Sequence, residues 1–263
     1  MTRKQRAGRS TAAGFLMMFV AATGSASTPT EAELQQEVEQ RLSKEEVVGF
    51  SVEVAVRGDE VTLRGEVPSL WHKEWALDRA RGTDGVVAVV SYLTIRNGDG
   101  AEELARAIAE AIRQYPFYTV FDYVSVTIED SIVTLSGVVT HYPDKPGDLY
   151  ERVSRVPGVK GIINQIEVLS TRLADDRIRV ALGRRLFGHA SFDRYLGVAP
   201  GLHIIVLNGY VTLKGRVFSE MDSLQAESIA RSIFGVIRVT NELRTRKQLE
   251  KAAARKGAVG SAD

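Results

Sequence analysis

Trp71 and Trp75 stand four residues apart among Lys73, Arg79 and Arg81. No other grouping in the chain combines residue types so suited to a defined contact. An indole ring is apolar in body and polar at one edge, and beside cations it suits the headgroup region of a lipid surface. The same spacing puts both rings on one side of a helix, where they can instead pack on a neighbouring domain. Arg184 and Arg185 belong to a second basic group, with Arg177, Arg179, Lys247, Lys251, Arg255 and Lys256 near the two ends of the last third of the chain. Tyr115, Phe117, Tyr118 and Phe121 form an aromatic cluster that can make a contact or roof a core.

Residues for catalysis are sparse. His72, His141, His189 and His203 occupy unrelated positions, and no His-Glu-x-x-His, Gly-x-Ser-x-Gly or Walker-type phrase occurs. Asp175 and Asp176 fall at the start of a predicted helix, where capping and the helix dipole account for them. The chain has no cysteine, which excludes disulfides, thiolate metal sites, a cysteine nucleophile and a lipidated N-terminal cysteine. The expectation is a protein that is not an enzyme and uses no cofactor or metal.

The elements that must position any contact site follow from a repeat. Val61-Thr62-Leu63-Arg64-Gly65, Val133-Thr134-Leu135-Ser136-Gly137 and Val211-Thr212-Leu213-Lys214-Gly215 are one phrase written three times, with steps of 72 and 78 residues. From each phrase glycine to the next Gly-Val pair the distance is 20, 21 and 20 residues, at Gly85, Gly158 and Gly235. A period of this length is longer than a solenoid repeat and is enough for a small domain with its own core.

Each unit can be assigned by periodicity. Val52, Val54 and Val56, then Val124, Val126 and Ile128, then Leu202, Ile204 and Val206 alternate with other residues, as in a strand with one buried face. The phrase continues that alternation, and Gly58-Asp59, Asp130-Ser131 and Asn208-Gly209 between the two runs suit tight hairpin turns. Upstream, Leu34, Val38 and Leu42, Leu104, Ile108 and Ile112, and Ile178, Leu182 and Leu186 recur at helical spacing. Downstream, Ala76 and Ala80, Leu149 and Val153, and Ala226 and Ala230 mark a second helix packed closely on the sheet and ended by the glycine of the Gly-Val pair. Gly65, Gly137 and Gly215 lie inside strand patterns, where a missing side chain marks a bulge or a close approach of backbone. The order is helix, strand, strand, helix, strand. The expected fold is α+β: three tandem αββαβ units, each a small three-stranded sheet covered by two helices.

The Val-Thr-Leu-x-Gly phrase, the small-residue helix and the Gly-Val-x-x-Val-x-Asn-x-Leu ending at Gly235 to Leu243 resemble the BON domain of bacterial envelope proteins. The resemblance covers nearly all of residues 31–245. The first copy departs from it with Ser91 where the others have Asn164 and Asn241, and the third carries an insertion from Phe187 to Gly201. It implies an exported, usually periplasmic protein without a catalytic centre that binds phospholipid or envelope proteins; without a lipid-bearing cysteine, any membrane attachment is expected to be peripheral. A periplasmic stress-type chaperone or a protein-interaction scaffold is the alternative. Gly82-Thr83-Asp84-Gly85 matches a nucleic-acid-binding GXXG loop in letters only, since the other copies lack it. No nucleic-acid partner is expected.

Charge and targeting complete the reading. Residues 31–97 carry 8 basic and 13 acidic side chains, residues 101–172 carry 7 and 10, and residues 173–263 carry 15 and 9. The basic last third favours an anionic lipid or acidic partner. Arg3, Lys4, Arg6 and Arg9, an apolar stretch from Ala12 to Thr23, and Gly24-Ser25-Ala26 have the form of a cleaved signal peptide over residues 1–26. The expected domains are 31–97, 101–169 and 174–245, followed by a basic, flexible tail over 246–263. If this reading holds, the intact mass of protein from its native compartment will correspond to a chain beginning near Ser27, in the soluble envelope fraction. Met1 retained in a cytoplasmic fraction would overturn it.

Overall fold

The structure, a computed structural model, describes residues 29–43, 52–98, 100–195 and 201–259. The signal peptide expected over residues 1–26 lies outside the described residues. The first unit comprises α1 (Glu31–Ser43), β1 (Val52–Arg57), β2 (Glu60–Val67), α2 (Leu70–Arg81) and β3 (Ala88–Ile95). The second comprises α3 (Ala101–Arg113), β4 (Tyr123–Glu129), β5 (Ile132–Val139), α4 (Lys145–Ser154) and β6 (Gly161–Val168). The third comprises α5 (Leu173–Phe187), β7 (Leu202–Leu207), β8 (Tyr210–Val217), α6 (Glu220–Arg231) and β9 (Arg238–Thr245), and α7 (Arg246–Val259) follows it.

Each unit has its own three-stranded sheet with the phrase strand in the middle. That strand pairs antiparallel with the one before it, placing Val54 opposite Leu63, Val126 opposite Leu135 and Ile204 opposite Leu213. It pairs parallel with the one after it, because a helix carries the chain back across the sheet. Both helices of a unit cover the apolar face, and the cores form around Val38, Leu63 and Ala76, around Ile108, Leu135 and Leu149, and around Leu182, Leu213 and Ala226. The hairpin turns take left-handed backbone at Asp130 and Ser131 and at Asn208 and Gly209, as two-residue turns matched to strand twist do.

The strand glycine sets the shape of each sheet. Gly65, Gly137 and Gly215 have φ of 138°, 128° and 118°. A Cβ on Gly137 would stand 2.1 Å from the Tyr123 carbonyl oxygen, and one on Gly215 would stand 2.2 Å from that of Gly201. The neighbouring strand thus occupies the space a side chain would need. Gly85, Gly158 and Gly235 each follow the second helix of their unit, also at positive φ.

The asparagine of the third strand ties that strand to the helix. Asn164 donates to the Pro146 carbonyl (2.9 Å) and Asn241 to that of Ser223 (3.1 Å), while their side-chain oxygens accept from Ile166 and Leu243 backbone N–H. Ser91 in the first unit keeps only the strand half, accepting from Leu93 N–H at 3.3 Å. The residue four before the first buried helix position (Ala76, Leu149 or Ala226), namely His72, Lys145 or Asp222, anchors the helix start in each copy, by different chemistry. His72 bonds Ser69 (2.8 Å). Lys145 reaches both oxygens of Asp122 (2.9 and 2.7 Å) in a buried pair that Thr119 and Thr140 complete. Asp222 accepts from Tyr195 Oη (2.6 Å) and Arg194 (2.7 Å). The insertion of the third unit supplies Tyr195 and Phe192, and both are buried in its core.

The two joints between units are unlike. At the first, α2 meets α4: Gly158 N–H donates to the Pro68 carbonyl (3.1 Å), Tyr150 Oη donates to Glu74 (2.6 Å), and Leu70 packs on the second core. Burial and the nearby Arg155 guanidinium hold the His72 imidazole below its ordinary value there. At the second joint, Ile204 N–H donates to the Val120 carbonyl (2.7 Å), Tyr118 and Tyr123 meet His203 edge-on, and Phe121 packs on the third core. The segment expected as a flexible tail carries α7. Thr245 and Gln248 cap it reciprocally, and Arg246 pairs with Glu250 one turn on.

The close approach at the strand glycine makes a direct prediction. Gly137→Ala places a Cβ inside the Tyr123 carbonyl and is expected to lower stability by about 3 kcal/mol. Gly58→Ala, at φ 63° with nothing within 4 Å of its Cβ, is expected to cost only about 1 kcal/mol. Urea unfolding of the two variants measures the difference, and equal losses would contradict this account.

Candidate functional site

Three connections meet at one end of the third unit: the start of α5, the β7–β8 turn and the α6–β9 turn. Asp175 fixes them together. Its carboxylate is almost wholly buried and accepts from the backbone N–H of Asn208 and Gly209, both at 2.8 Å. Arg179, also buried, donates to the Val206 carbonyl (2.7 Å) and pairs with Asp176. Ile237 N–H donates to the Gly209 carbonyl (2.8 Å), joining the second turn to the first. The backbone at this end is therefore held from several sides.

What this fixed backbone displays is apolar. Phe234 is 100% exposed, Ile237 68% and Leu173 65%, and Leu207 and Tyr210 flank the hairpin turn at 45% and 50%. Large side chains held in water by a well-bonded backbone mark a contact surface. Phe234, Ile237, Arg172 and Arg177 line one cleft of about 330 Å³. Arg172 donates to the Asn208 side chain. Arg177 and Arg238 are exposed and form no ion pair among the described residues. The tip combines protruding apolar groups with arginines that form no ion pair among the described residues, above the buried Asp175 carboxylate that lines the same cleft.

The other two units lack this combination. At the corresponding end of the first, Val87 is 79% exposed but Asp59 and Asp84 stand in its turns, and Glu31 accepts from Gly58 N–H. In the second unit, Pro157 and Lys160 take the places of Phe234 and Ile237, and the adjacent Gly158 is engaged by the first joint.

The structure brings Trp71, Trp75 and Arg79 together on α2. The indoles stack with centroids 6.3 Å apart, and Arg79 lies over Trp75 at 5.7 Å. Trp71 is half-buried beneath the Arg155 guanidinium of the second unit, 3.8 Å from its ring centre, and Trp75 packs on the first core. Lys73 is half-buried on the same helix. Arg184 and Arg185 are exposed in the last turn of α5, so they share a unit with the tip but neither lines its cleft. In the aromatic cluster, Tyr115 donates to Asp148 (2.6 Å), and its burial, with that bond, pushes its pKa well up; Phe117 stacks on Tyr142. The tip itself went unread in the sequence. Its signal was the apolar residues at turn positions, Phe234 directly before Gly235 and Leu207 and Tyr210 around Asn-Gly.

Among the described residues no group of three or more His, Asp or Glu side chains is placed to hold a metal ion, and no helix is long and apolar enough to cross a membrane.

Comparison with known proteins places the chain. Osmotically-inducible protein Y of Escherichia coli (strain K12) is 30% identical over 128 residues, which are 47% of this chain and 62% of that relative. The chain thus spans less than two thirds of that relative's length. Among solved structures, the C-terminal domain of CdsD, described as the structural protein of the type III secretion system of Chlamydia trachomatis, aligns with 82% of this chain and 98% of its own at 15% identity. A second CdsD structure aligns with 84% of this chain and 97% of its own at 14% identity; both TM-scores are 0.24, too low to imply a shared overall arrangement. The family profile of the BON domain matches residues 30–97, 101–170 and 174–247. One repeated αββαβ unit, one repeated phrase and three consecutive matches agree, and the chain belongs to the BON-domain family.

Proposed function

We propose that this is an exported, non-catalytic protein of the periplasm that attaches peripherally to anionic phospholipid through the tip of its third unit. The observation that carries the reading is the fully exposed Phe234 beside Ile237, with Arg172 and Arg177 lining the same cleft. Full burial of one such apolar side chain contributes about 1.5–3 kcal/mol, and partial insertion correspondingly less. A cation near an anionic surface contributes about 1 kcal/mol. Arg172, Arg177 and Arg238 acting with the apolar groups give binding that is reversible and weakens as salt rises. The relative named for osmotic induction supports a role under osmotic stress.

The test is co-flotation of the mature chain with neutral or phosphatidylglycerol-containing vesicles at low and high salt. The wild type is expected to float with the anionic vesicles at low salt and to be released as salt rises. Phe234→Ser with Ile237→Ser is expected to lower partitioning about ten-fold. Arg177→Glu with Arg238→Glu is expected to remove the preference for anionic lipid, and Arg184→Glu with Arg185→Glu to change little. If the Arg184 and Arg185 pair, or Trp71→Ala with Trp75→Ala, proves the decisive change in a folded protein, the contact lies there and not at the tip. A wild type that never floats with anionic vesicles at low salt defeats the lipid reading, and protein binding becomes the leading one.

A further inference from the structure

The second helices of the first and third units align position by position, so that Pro68, Trp71 and Glu74 correspond to Phe218, Met221 and Leu224. In the first unit this face is the joint: Pro68 accepts from Gly158, Trp71 lies beneath Arg155 and Glu74 accepts from Tyr150. In the third unit the same face is apolar and open, with Phe218 and Met221 70% exposed and Leu224 61% exposed. The fold has already used this position to bind another BON unit. In the third copy, the residues there have become more apolar; Arg194 and Tyr195 of the same unit lie against Phe218 at the margin, and Met221 and Leu224 stay exposed.

The rim of the face says what would cover it. Phe218 shares a cleft with Glu220 of α6 and with Arg246, Lys247 and Lys251 of α7, and Gln248 holds Glu220 at 3.2 Å. An anionic bilayer meeting this face would meet Glu220 as well as the lysines. A surface with an apolar middle and both signs of charge at its edge is complementary to itself, since a twofold axis sets each sign opposite the other. We propose that the α6 face is a self-association surface: two copies of the chain pack α6 against α6, with Met221 and Leu224 at the axis, Phe218 at the margin, and Glu220 of each copy opposite the α7 cations of the other. This contact is independent of the lipid tip. Its area is small, so the dimer is weak and forms at high local concentration.

Sedimentation of the mature chain over a concentration series reaching the millimolar range reads the equilibrium. The wild type is expected to shift from monomer to dimer. Met221→Lys with Leu224→Lys is expected to weaken association at least about ten-fold, with unchanged thermal unfolding and unchanged vesicle flotation. Phe234→Ser with Ile237→Ser is expected to dimerise as the wild type does. Because the chain has no cysteine, Leu224→Cys is a single-site reporter, expected to form a disulfide-linked dimer under mild oxidation faster than Thr240→Cys on the exposed sheet face. A wild type that stays monomeric throughout, with Leu224→Cys and Thr240→Cys crosslinking equally slowly, overturns the proposal. Loss of flotation in the Met221 and Leu224 variant without any change in association assigns the face to the membrane and equally overturns it.

Discussion

The whole architecture depends on one crowded contact, that between the central strand and the backbone carbonyl beside it at Gly137 and Gly215. With φ beyond 110° at Gly65, Gly137 and Gly215 alike, and at the last two a neighbouring oxygen where a Cβ would be, the central strand bends there and keeps its pairing on both sides. The bend lets a three-stranded sheet, too small to bury anything by itself, curve under two helices. Leu63, Leu135 and Leu213 then sit two residues before the bend in the middle of each core, all fully buried. A glycine at this place is thus a condition of the core.

Much of this was legible in the sequence because it is local. Alternation gave the strands, Asp130-Ser131 and Asn208-Gly209 the turns, and four-residue spacing the helices, all within windows of a dozen residues. What escaped depends on partners distant in the chain. Lys145 reads as part of a polar Asp-Lys-Pro-Gly loop, and only Asp122, 23 residues upstream, makes it a buried residue. Trp71 reads as a lipid or domain contact until Arg155 is placed over it. The helical tail is legible in principle, since Thr245 and Gln248 have capping-box spacing, although its basic composition suggests a flexible segment. The apolar tip was missed because sequence periodicity ranks residues inside elements, and Phe234 and Ile237 lie between them.

Three copies of one scaffold show which positions the fold constrains and which it leaves free. The strand glycine, the buried apolar helix positions and the apolar strand residues recur. The helix-start residue does not: His72, Lys145 and Asp222 anchor equivalent helices by a neutral hydrogen bond, a buried ion pair and a carboxylate network. The requirement is a satisfied polar group at the helix entrance, and any donor and acceptor set that closes meets it. The outward faces differ further still, so one fold carries a joint on α2, an exposed apolar strip on α6 and a cationic apolar tip.

The second joint also bears on the order in which the chain assembles. β7 is buried along five consecutive residues, Leu202 to Val206, with His203 and Ile205 facing away from their own unit's helices. Its outer side is capped by Tyr118 and Tyr123 of the unit that precedes it. A chain made from its N-terminus presents that cap before the strand exists. This apolar, doubly buried strand therefore emerges beside a docking site already formed. Had the repeats been joined in the reverse order, Leu-His-Ile-Ile-Val would have waited uncovered for its partner to be synthesised.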